Sequence, residues 1–336
     1  MSDNRSDSRQ SRIVAFGEVL WDMLPAGPKL GGAPVNFLYH SHVLGAQVQA
    51  LTRVGDDQLG RDVVARLAEL NIPTEFVQIS PNFPTGVVNV TLNANGNPTY
   101  DIVQNVAWDE INVDEAVVEK VLEFLSGSSK SAFYYGSLAL RSPSNRNALE
   151  RIVKELPSHV LRVCDLNLRP PFYSKDVLRF SLESADVFKL NDAEAVELDE
   201  MFGDLVPPTL SSLADRDGGL GDAILHRKSE VDATLVQWAE NWQKRFALGV
   251  VIVTCGAYGA YLFNGNRHSF APAVHVQVAD AVGAGDSFSA VCVVGILEGI
   301  DDETIVDAAS KRAAFVCSQN GATPIIPKED ANPFRK

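Results

Sequence analysis

Short apolar runs that alternate with helical stretches are the feature that most restricts the fold of this chain. Four of these runs occupy residues 132–135, 160–163, 186–190 and 250–253. Strands that are apolar on both faces are typical of a parallel sheet with helices packed against each side. The sequence therefore predicts a three-layer α/β/α protein with a mostly parallel central sheet.

A different pattern indicates a small sheet outside that core. Residues 85–92 alternate between apolar and polar side chains, an Asn95-Gly96 pair follows, and alternation returns at residues 99–103. Such a pattern predicts a β-hairpin with one buried face. The predicted organisation is a disordered tail at 1–11, a main domain at 12–327, a β-sheet lid from about 18–34 and 73–107, a surface insertion at about 200–245 and a second tail at 328–336.

Composition narrows the class of function. The formal net charge is −14, which repels nucleic-acid phosphates and anionic membranes, so neither is expected as a partner. No run of about 18 apolar residues occurs, and the N-terminus is polar, so neither a membrane span nor a signal peptide is predicted. The four cysteines lie in apolar surroundings without a C-x-x-C pair, which indicates free thiols and a cytoplasmic protein.

The segment Asp280 to Phe288 is the most informative for chemistry. It follows a strand-like stretch at residues 274–278 and precedes a predicted helix at 287–298 that is apolar nearly all round. A helix N-terminus offers free N–H groups, and the small residues Gly283, Ala284 and Gly285 would let a phosphate approach them.

Asp286 lies in the same turn, where it can accept the proton of a hydroxyl that attacks the phosphate. The alternative is an ordinary glycine turn in which Asp286 caps the helix. The segment matches neither G-x-x-x-x-G-K-[ST] nor G-x-G-x-x-G, so neither a P-loop nor a dinucleotide site is predicted.

Residues 280–288 resemble the C-terminal signature D-T-x-G-A-G-D of the ribokinase-like (PfkB) carbohydrate kinases, with Ala281 in place of Thr. Further segments resemble motifs of the same family in the same order: residues 31–36 with 53–60, residues 189–194, and residues 253–260. The chain is identified as a member of this family over about residues 13–327. Residues 17–22, 107–109 and 165–170 look most similar to fructokinase-type members.

The resemblance implies a ribokinase-like fold and ATP-dependent phosphorylation of a sugar hydroxyl, as in fructokinases. It implies that Asp286 is the catalytic base and that the amides around Gly283, Ala284 and Gly285 form an anion hole. The residues expected to bind the sugar are Asp22, Gly31, Gly32, Asn36, Tyr100, Arg169 and Asp286. Those expected to bind the nucleotide are Lys189, Asn191, Glu194, Thr254, Gly256, Gly259, Gly283, Gly285 and Asn320.

Two metal ions also follow from the resemblance. Asn191 and Glu194 would hold the water shell of Mg²⁺, although the same spacing fits a helix cap. Candidate K⁺ ligands are Asp280 and the carbonyl groups of Val282 and Gly321. Ile325 stands where some relatives place Ser, so dependence on K⁺ stays open.

Several alternatives remain at this stage. The substrate could be 2-keto-3-deoxygluconate, ribose or a nucleoside instead of a hexose such as fructose. A different class of protein, a catalytically inactive scaffold that binds sugar or nucleotide, is also compatible with the motifs. The exposed face of the lid predicts a homodimer that pairs through it.

Overall fold

A computed structural model describes residues 10–25, 27–92, 98–202, 210–215 and 218–335. In chain order the strands are β1 (Arg12–Phe16), β2 (Leu20–Leu24), β3 (Gly27–Gly31), β4 (Gln47–Gly55), β5 (Val77–Ser80), β6 (Gly86–Leu92), β7 (Pro98–Ile102), β8 (Ser131–Gly136), β9 (Val160–Asp165), β10 (Val187–Asn191), β11 (Val250–Thr254), β12 (Ala260–Asn264) and β13 (Arg267–Ala271). The helices are α1 (Ala33–Val43), α2 (Gln58–Glu69), α3 (Glu115–Ser126), α4 (Pro143–Glu155), α5 (Lys175–Glu183), α6 (Asp192–Phe202), α7 (Gly221–Phe246), α8 (Ala284–Glu298) and α9 (Asp302–Cys317).

The central sheet has nine strands in the order β13-β12-β11-β10-β9-β8-β1-β4-β5. The seven strands from β11 to β5 in that order are parallel, and β12 and β13 form an antiparallel edge. This confirms the mostly parallel sheet predicted from the apolar runs.

Alternate residues of β1 face two separate cores. Val14 and Phe16 pack with α3 to α7, whereas Ile13 and Ala15 pack with α1, α2, α8 and α9. Because both faces of the strand are covered, the protein has the three predicted layers. None of the described helices combines the length and apolarity needed to cross a membrane.

The lid is a separate four-stranded sheet in the order β3-β2-β6-β7. Leu20, Val88 and Val90 form its buried face, so the predicted alternation is observed there. Strand β5, which was assigned to the lid, instead pairs in parallel with β4 in the central sheet. The lid is therefore shorter than the range 73–107. The predicted Asn95-Gly96 turn lies outside the described residues.

The predicted surface insertion and the predicted second tail both pack against the protein. In the insertion at about 200–245, Trp238 and Trp242 are buried on one face of α7, and the Trp242 and Phe246 rings are in contact in a tilted arrangement. Their spacing of four residues aligns them on the helix, which explains why much of the insertion belongs to the core. In the second tail, the Asn332 side chain donates to the Leu44 carbonyl and Phe334 packs on the core around α1 and α8.

Candidate functional site

Two cavities meet where the parallel strands end. The Asp22 cavity, about 520 Å³, lies between the lid and the N-terminus of α8, and the Thr254 cavity, about 480 Å³, lies between the end of β11 and α9. Ala281 and Gly285 line both cavities. Ligands of open α/β sheets bind at this edge, so the junction is the candidate reaction centre.

The predicted sugar-binding residues lie together. All seven line the Asp22 cavity: Asp22, Gly31, Gly32, Asn36, Tyr100, Arg169 and Asp286. They come from strands β2, β3 and β7, from the starts of α1 and α8, and from the loop after β9. Five of the predicted nucleotide-binding residues line the Thr254 cavity: Asn191, Thr254, Gly256, Gly259 and Gly285.

The turn that begins α8 is held by close backbone packing. Gly283 is the N-cap residue with φ of 80°, a conformation that favours glycine. A Cβ added there would lie 2.6 Å from Cα of Ala322, too close for any side chain. The helix begins at Ala284, three residues earlier than predicted, so Asp286 lies in its first turn and is not its cap.

The Asp286 carboxyl group is buried beside one hydrogen-bond donor. Asn36 Nδ2 donates to Asp286 Oδ2 over 2.8 Å. Burial raises the pKa of Asp286 to about 6, and the nearby Asp165 carboxylate adds to the rise, whereas the Asn36 hydrogen bond and the Lys189 ammonium group oppose it. A carboxyl group with this pKa is ionised at neutral pH and can accept a proton.

Lys189 does not line either cavity and instead forms a buried ion pair. Its Nζ lies 2.9 Å from Asp165 Oδ1, and Ser289 Oγ donates to the other Asp165 oxygen over 2.7 Å. Burial lowers the pKa of Lys189, but the carboxylates of Asp165 and Glu194 outweigh it, so its pKa is raised overall. A Cβ at Gly285 would lie 3.2 Å from this ammonium group, so a fixed positive charge lies directly behind the turn of α8.

Two consecutive glycines bring backbone and carboxylate together in the Asp22 cavity. A Cβ at Gly31 would lie 2.6 Å from Asp22 Oδ2, and one at Gly32 would lie 2.5 Å from the carbonyl oxygen of Glu18. Gly32 also has φ of 114°. The positive φ and the nearby backbone carbonyl require glycine at position 32, whereas a side chain at position 31 would displace the Asp22 carboxylate.

Glu18 is a cavity residue that was not among the predicted sites. It is buried, one carboxylate oxygen accepts the Ala33 N–H over 3.3 Å, and the other has no hydrogen-bond partner among the described residues. Burial raises the pKa of Glu18 to about 7, with the Asp286 carboxylate adding and Arg169 opposing. The sequence signal was its place directly after the first strand, four residues before Asp22.

Asn191 and Glu194 form the helix cap that was the alternative to a metal role. Asn191 Oδ1 accepts the Glu194 N–H, and Glu194 Oε2 accepts the Asn191 N–H, each over 2.8 Å. Glu194 Oε1 accepts the Leu168 N–H over 2.7 Å, which ties down the loop that carries Arg169. Burial raises the pKa of Glu194, and Lys189 opposes this.

The Thr254 cavity has an apolar wall. Val274, Val276 and Val278 line it from an irregular segment, which corrects the strand-like assignment of residues 274–278. That segment follows Pro272, which has no backbone N–H to extend the ladder from β13. Asn320, predicted to bind the nucleotide, does not line this cavity.

Asp280 connects the two loops that carry the candidate K⁺ ligands. Its Oδ1 accepts the Val282 N–H over 3.0 Å and its Oδ2 accepts the Gly321 N–H over 3.1 Å. Lys29 Nζ lies 3.8 Å from the second oxygen. The three predicted residues are therefore neighbours.

Comparison with known proteins identifies relatives over nearly the whole chain. Fructokinase-2 of Solanum lycopersicum is 25% identical, with 95% of this chain and 94% of that protein covered. Fructokinase-1 of Zea mays is 26% identical, with 94% and 95% covered.

Solved structures share the fold. The 2-dehydro-3-deoxygluconokinase of Thermotoga maritima has a TM-score of 0.74 at 19% identity, with 96% of this chain and 98% of that chain covered. A fructokinase with bound ATP from Xylella fastidiosa has a TM-score of 0.66 at 21% identity, with 93% and 94% covered. A model of the pfkB family carbohydrate kinases matches residues 27–329. This chain, a carbohydrate kinase, therefore belongs to the pfkB family.

Proposed function

We propose that this sugar kinase transfers the γ-phosphoryl group of ATP to a hydroxyl of an uncharged hexose such as fructose. The observation that carries the proposal is the position of Asp286, a buried carboxylate in the first turn of α8 where two cavities meet. Each cavity has the size that proteins use for one small ligand. A base at their junction can reach both reactants.

The sugar occupies the Asp22 cavity in this proposal. The Asp22 carboxylate accepts hydrogen bonds from two adjacent hydroxyl groups, and Arg169 donates to others. Asn36 Nδ2 already donates to Asp286 Oδ2, so the other oxygen of Asp286 is left to accept the proton of the attacking hydroxyl. The hydroxyl oxygen then forms a bond to the γ-phosphorus as the bond to ADP breaks.

The turn of α8 stabilises the transferred phosphoryl group. The N–H groups of Gly285 and Asp286 in the first turn of α8 have no hydrogen-bond acceptor among the described residues, whereas the Ala284 N–H donates to the Ala281 carbonyl over 3.3 Å. The Lys189 ammonium group lies behind Gly285. These groups are fixed before the reaction, so they do not reorganise when negative charge shifts. They supply locally the positive potential that a chain of net charge −14 lacks overall.

ATP fits the Thr254 cavity, because the valine wall suits a purine base and the small residues at the junction leave room for phosphates. Two solved structures with this fold, a sugar kinase from Pyrococcus horikoshii and the fructokinase from Xylella fastidiosa, contain ATP, which supports this choice. Both Glu194 oxygens already accept backbone N–H groups, so Asn191 and Glu194 fit contact with the water shell of Mg²⁺ better than direct ligation. Mg²⁺ would neutralise phosphate charge, and K⁺ would be held by Asp280, Val282 and Gly321.

An uncharged sugar is favoured by the charges that line the Asp22 cavity. Three carboxylates, those of Glu18, Asp22 and Asp286, face one cation, Arg169, and the lid wall of Leu20 and Ile102 is apolar. The carboxylate of 2-keto-3-deoxygluconate would add a further negative charge to this set, with no second cation among the described lining residues. A nucleoside would need aromatic stacking, and Tyr100 is the one aromatic lining residue among those described.

ADP release tests the proposal with two sugars that differ at one carbon. D-Fructose and 2-keto-D-gluconate share a skeleton, but carbon 1 is a hydroxymethyl group in the first and a carboxylate in the second. We expect kcat/KM to be about 10²-fold higher for fructose, because like charges in a buried site cost several kcal/mol. Ribose and a nucleoside complete the panel.

Asp286→Asn should reduce turnover by about 10²–10⁴-fold and leave ATP affinity within about threefold. Asp199→Asn is the matched control, because Asp199 is also buried, accepts the Leu210 N–H and lines neither cavity.

In the substrate panel, a higher kcat/KM for 2-keto-D-gluconate than for fructose would contradict the proposal of an uncharged sugar. ATP binding without ADP release from any sugar would favour the inactive scaffold.

We further propose a cytoplasmic homodimer that pairs through the lid. Cys164, Cys255 and Cys292 are buried free thiols, which supports a reducing compartment. The lid sheet ends in two edge strands, β3 and β7, and exposes Met23 and Tyr100. Open edges and exposed apolar side chains favour pairing with a second copy.

A further inference from the structure

Helix α1 contacts both the proposed base, Asp286, and the segment of residues 321–324. In its first turn, Asn36 donates to the carboxylate of Asp286. One turn later the same helix faces a different part of the protein, the segment of residues 321–324 that follows α9. The helix therefore connects the proposed base to a segment on the other side of the α8 turn.

Two side chains of α1 hold that segment. The Tyr39 hydroxyl donates to the Pro324 carbonyl oxygen over 2.7 Å. The His40 ring is fully buried, and its Nε2 lies 2.9 Å from the Ala322 carbonyl oxygen. Both contacts join residues more than 280 positions apart in the chain.

The segment in turn supports the glycine that begins α8. A Cβ at Gly283 would lie 2.6 Å from Cα of Ala322 and 2.8 Å from its carbonyl oxygen. Gly283 therefore packs directly against the backbone and the methyl group of Ala322. A shift of Ala322 would release the turn that presents the amides of Gly285 and Asp286.

The protonation of His40 follows from its surroundings. Because a carbonyl can only accept, Nε2 must carry the proton. Nδ1 has no hydrogen-bond partner among the described residues, and a bare lone pair costs less to bury than an N–H. Burial lowers the pKa of His40 to about 4, the Ala322 carbonyl opposes this, and Arg312 adds to it. His40 is therefore a neutral donor at working pH.

We propose that His40 is a positioning residue for phosphoryl transfer. Its Nε2–H holds Ala322 against Gly283 and so keeps the amides of the α8 turn aimed at the transferred group. His40 lines neither cavity, so it acts through Ala322 and not on a reactant. The part of the inference that concerns phosphoryl transfer rests on the proposed function, whereas the tie between α1 and the turn does not.

Three variants test the donor itself. His40→Leu removes it, and His40→Gln keeps an N–H donor close to the position of Nε2. His42→Leu is the control, because His42 lies on the same helix two residues further and is only half-buried. In His40→Leu we expect kcat to fall about 10–100-fold with the sugar KM within about threefold, because small misplacements of catalytic groups cost this much. His40→Gln should recover kcat to within about threefold of the wild-type value. The kcat of His42→Leu should equal that of the wild type.

Hydrogen exchange tests, without relying on turnover, whether the hydrogen bond between His40 and Ala322 holds the α8 turn. Peptides that cover residues 281–286 should exchange faster in His40→Leu than in the wild type or in His42→Leu. Unchanged exchange and unchanged kcat in His40→Leu would overturn the proposal. Equal losses in the Leu and Gln variants would also overturn it, because ring shape and not the donor would then matter.

Two further outcomes remain distinct. If the wild type phosphorylates no sugar, the proposed function fails, and the exchange experiment still decides whether His40 holds the turn. If His40→Leu does not fold, Tyr39→Phe is the substitute, because it removes only the hydroxyl group that donates from α1 to the Pro324 carbonyl. A smaller fall in kcat with faster exchange at 281–286 supports the proposal in that variant, and wild-type behaviour in both measurements overturns it.

Discussion

Asp286 lies where desolvation and a neighbouring carboxylate act on it together. They raise the pKa of Asp286 to about 6, so the carboxyl group is protonated below that pH and cannot accept a proton. We expect kcat/KM to fall about tenfold for each pH unit below 6. Asn36→Ala removes a hydrogen bond that lowers this pKa, so the acid limb of the pH–rate profile should move to higher pH.

Glu18→Gln serves as the control for that profile, because Glu18 is the other cavity carboxyl group whose pKa is raised towards neutrality. The acid limb should persist in this variant. Loss of the limb in Glu18→Gln, or a limb that does not move in Asn36→Ala, would assign the titration to a group other than Asp286.

Glu18 is expected to reduce stability at high pH. Burial raises the pKa of Glu18 from 4.5 to about 7, so its contribution to stability is fully present below pH 4.5 and is lost as the pH rises through 7. The side chain of Gln in Glu18→Gln carries no charge at any pH. It should therefore be more stable than the wild type by about 1–3 kcal/mol at pH 8.5, with the difference shrinking towards pH 4.5.

Denaturant unfolding at the two pH values measures this difference. A stability difference of the same size at both pH values would show that folding does not raise the pKa of Glu18, and would contradict this prediction.

At the scale of elements, α8 has left-handed glycines at both ends, which provides a matched pair. Gly283 has φ of 80° and Gly299 has φ of 73°, but a Cβ would clash with Ala322 only at the first, since the second has open space around it. Gly299→Ala should cost about 1–2 kcal/mol of stability and leave turnover intact. Gly283→Ala should lose most turnover, because the turn must move.

Thermal unfolding and ADP release compare the two variants. Equal losses of turnover would mean that the general stability of α8, and not the packing of Gly283 on Ala322, supports the reaction.

The sequence predicted elements whose pattern is local. The apolar runs predicted the parallel sheet, and the segment around Asp286 predicted a helix start, because both depend on neighbours along the chain. The pairing of Lys189 with Asp165 joins two strands, and the contact of His40 with Ala322 joins the two ends of the chain, so no local pattern carries them.

Errors arose where packing overrides a local signal. Strand β5 follows a helix and precedes the lid hairpin, and only its pairing with β4 assigns it to the central sheet. Residues 274–278 alternate like a strand, but their valines line a cavity instead of a ladder. Glu18 was not predicted because its burial depends on residues that are distant in the sequence, such as Ala33 at the start of α1, whose N–H it accepts.

At the scale of the whole molecule, the proposed dimer predicts a mass twice that of the chain in sedimentation equilibrium. Met23→Asp places a charge on the exposed lid and should dissociate the dimer. Ile79→Asp is the control, because Ile79 is exposed on β5, outside the lid. A monomer at all concentrations, or dissociation only by Ile79→Asp, would contradict pairing through the lid.

The junction between the two cavities has a consequence for inhibitor chemistry. Ala281 and Gly285 are the residues common to both linings, and neither has a side chain larger than a methyl group. In a compound that joins a ketose to an adenosine through a chain of phosphates, the phosphates must pass between the two cavities beside Ala281 and Gly285. The length of the shortest linker in a compound that still binds tightly would therefore measure the distance between the bound sugar and the bound nucleotide. This measurement does not require turnover.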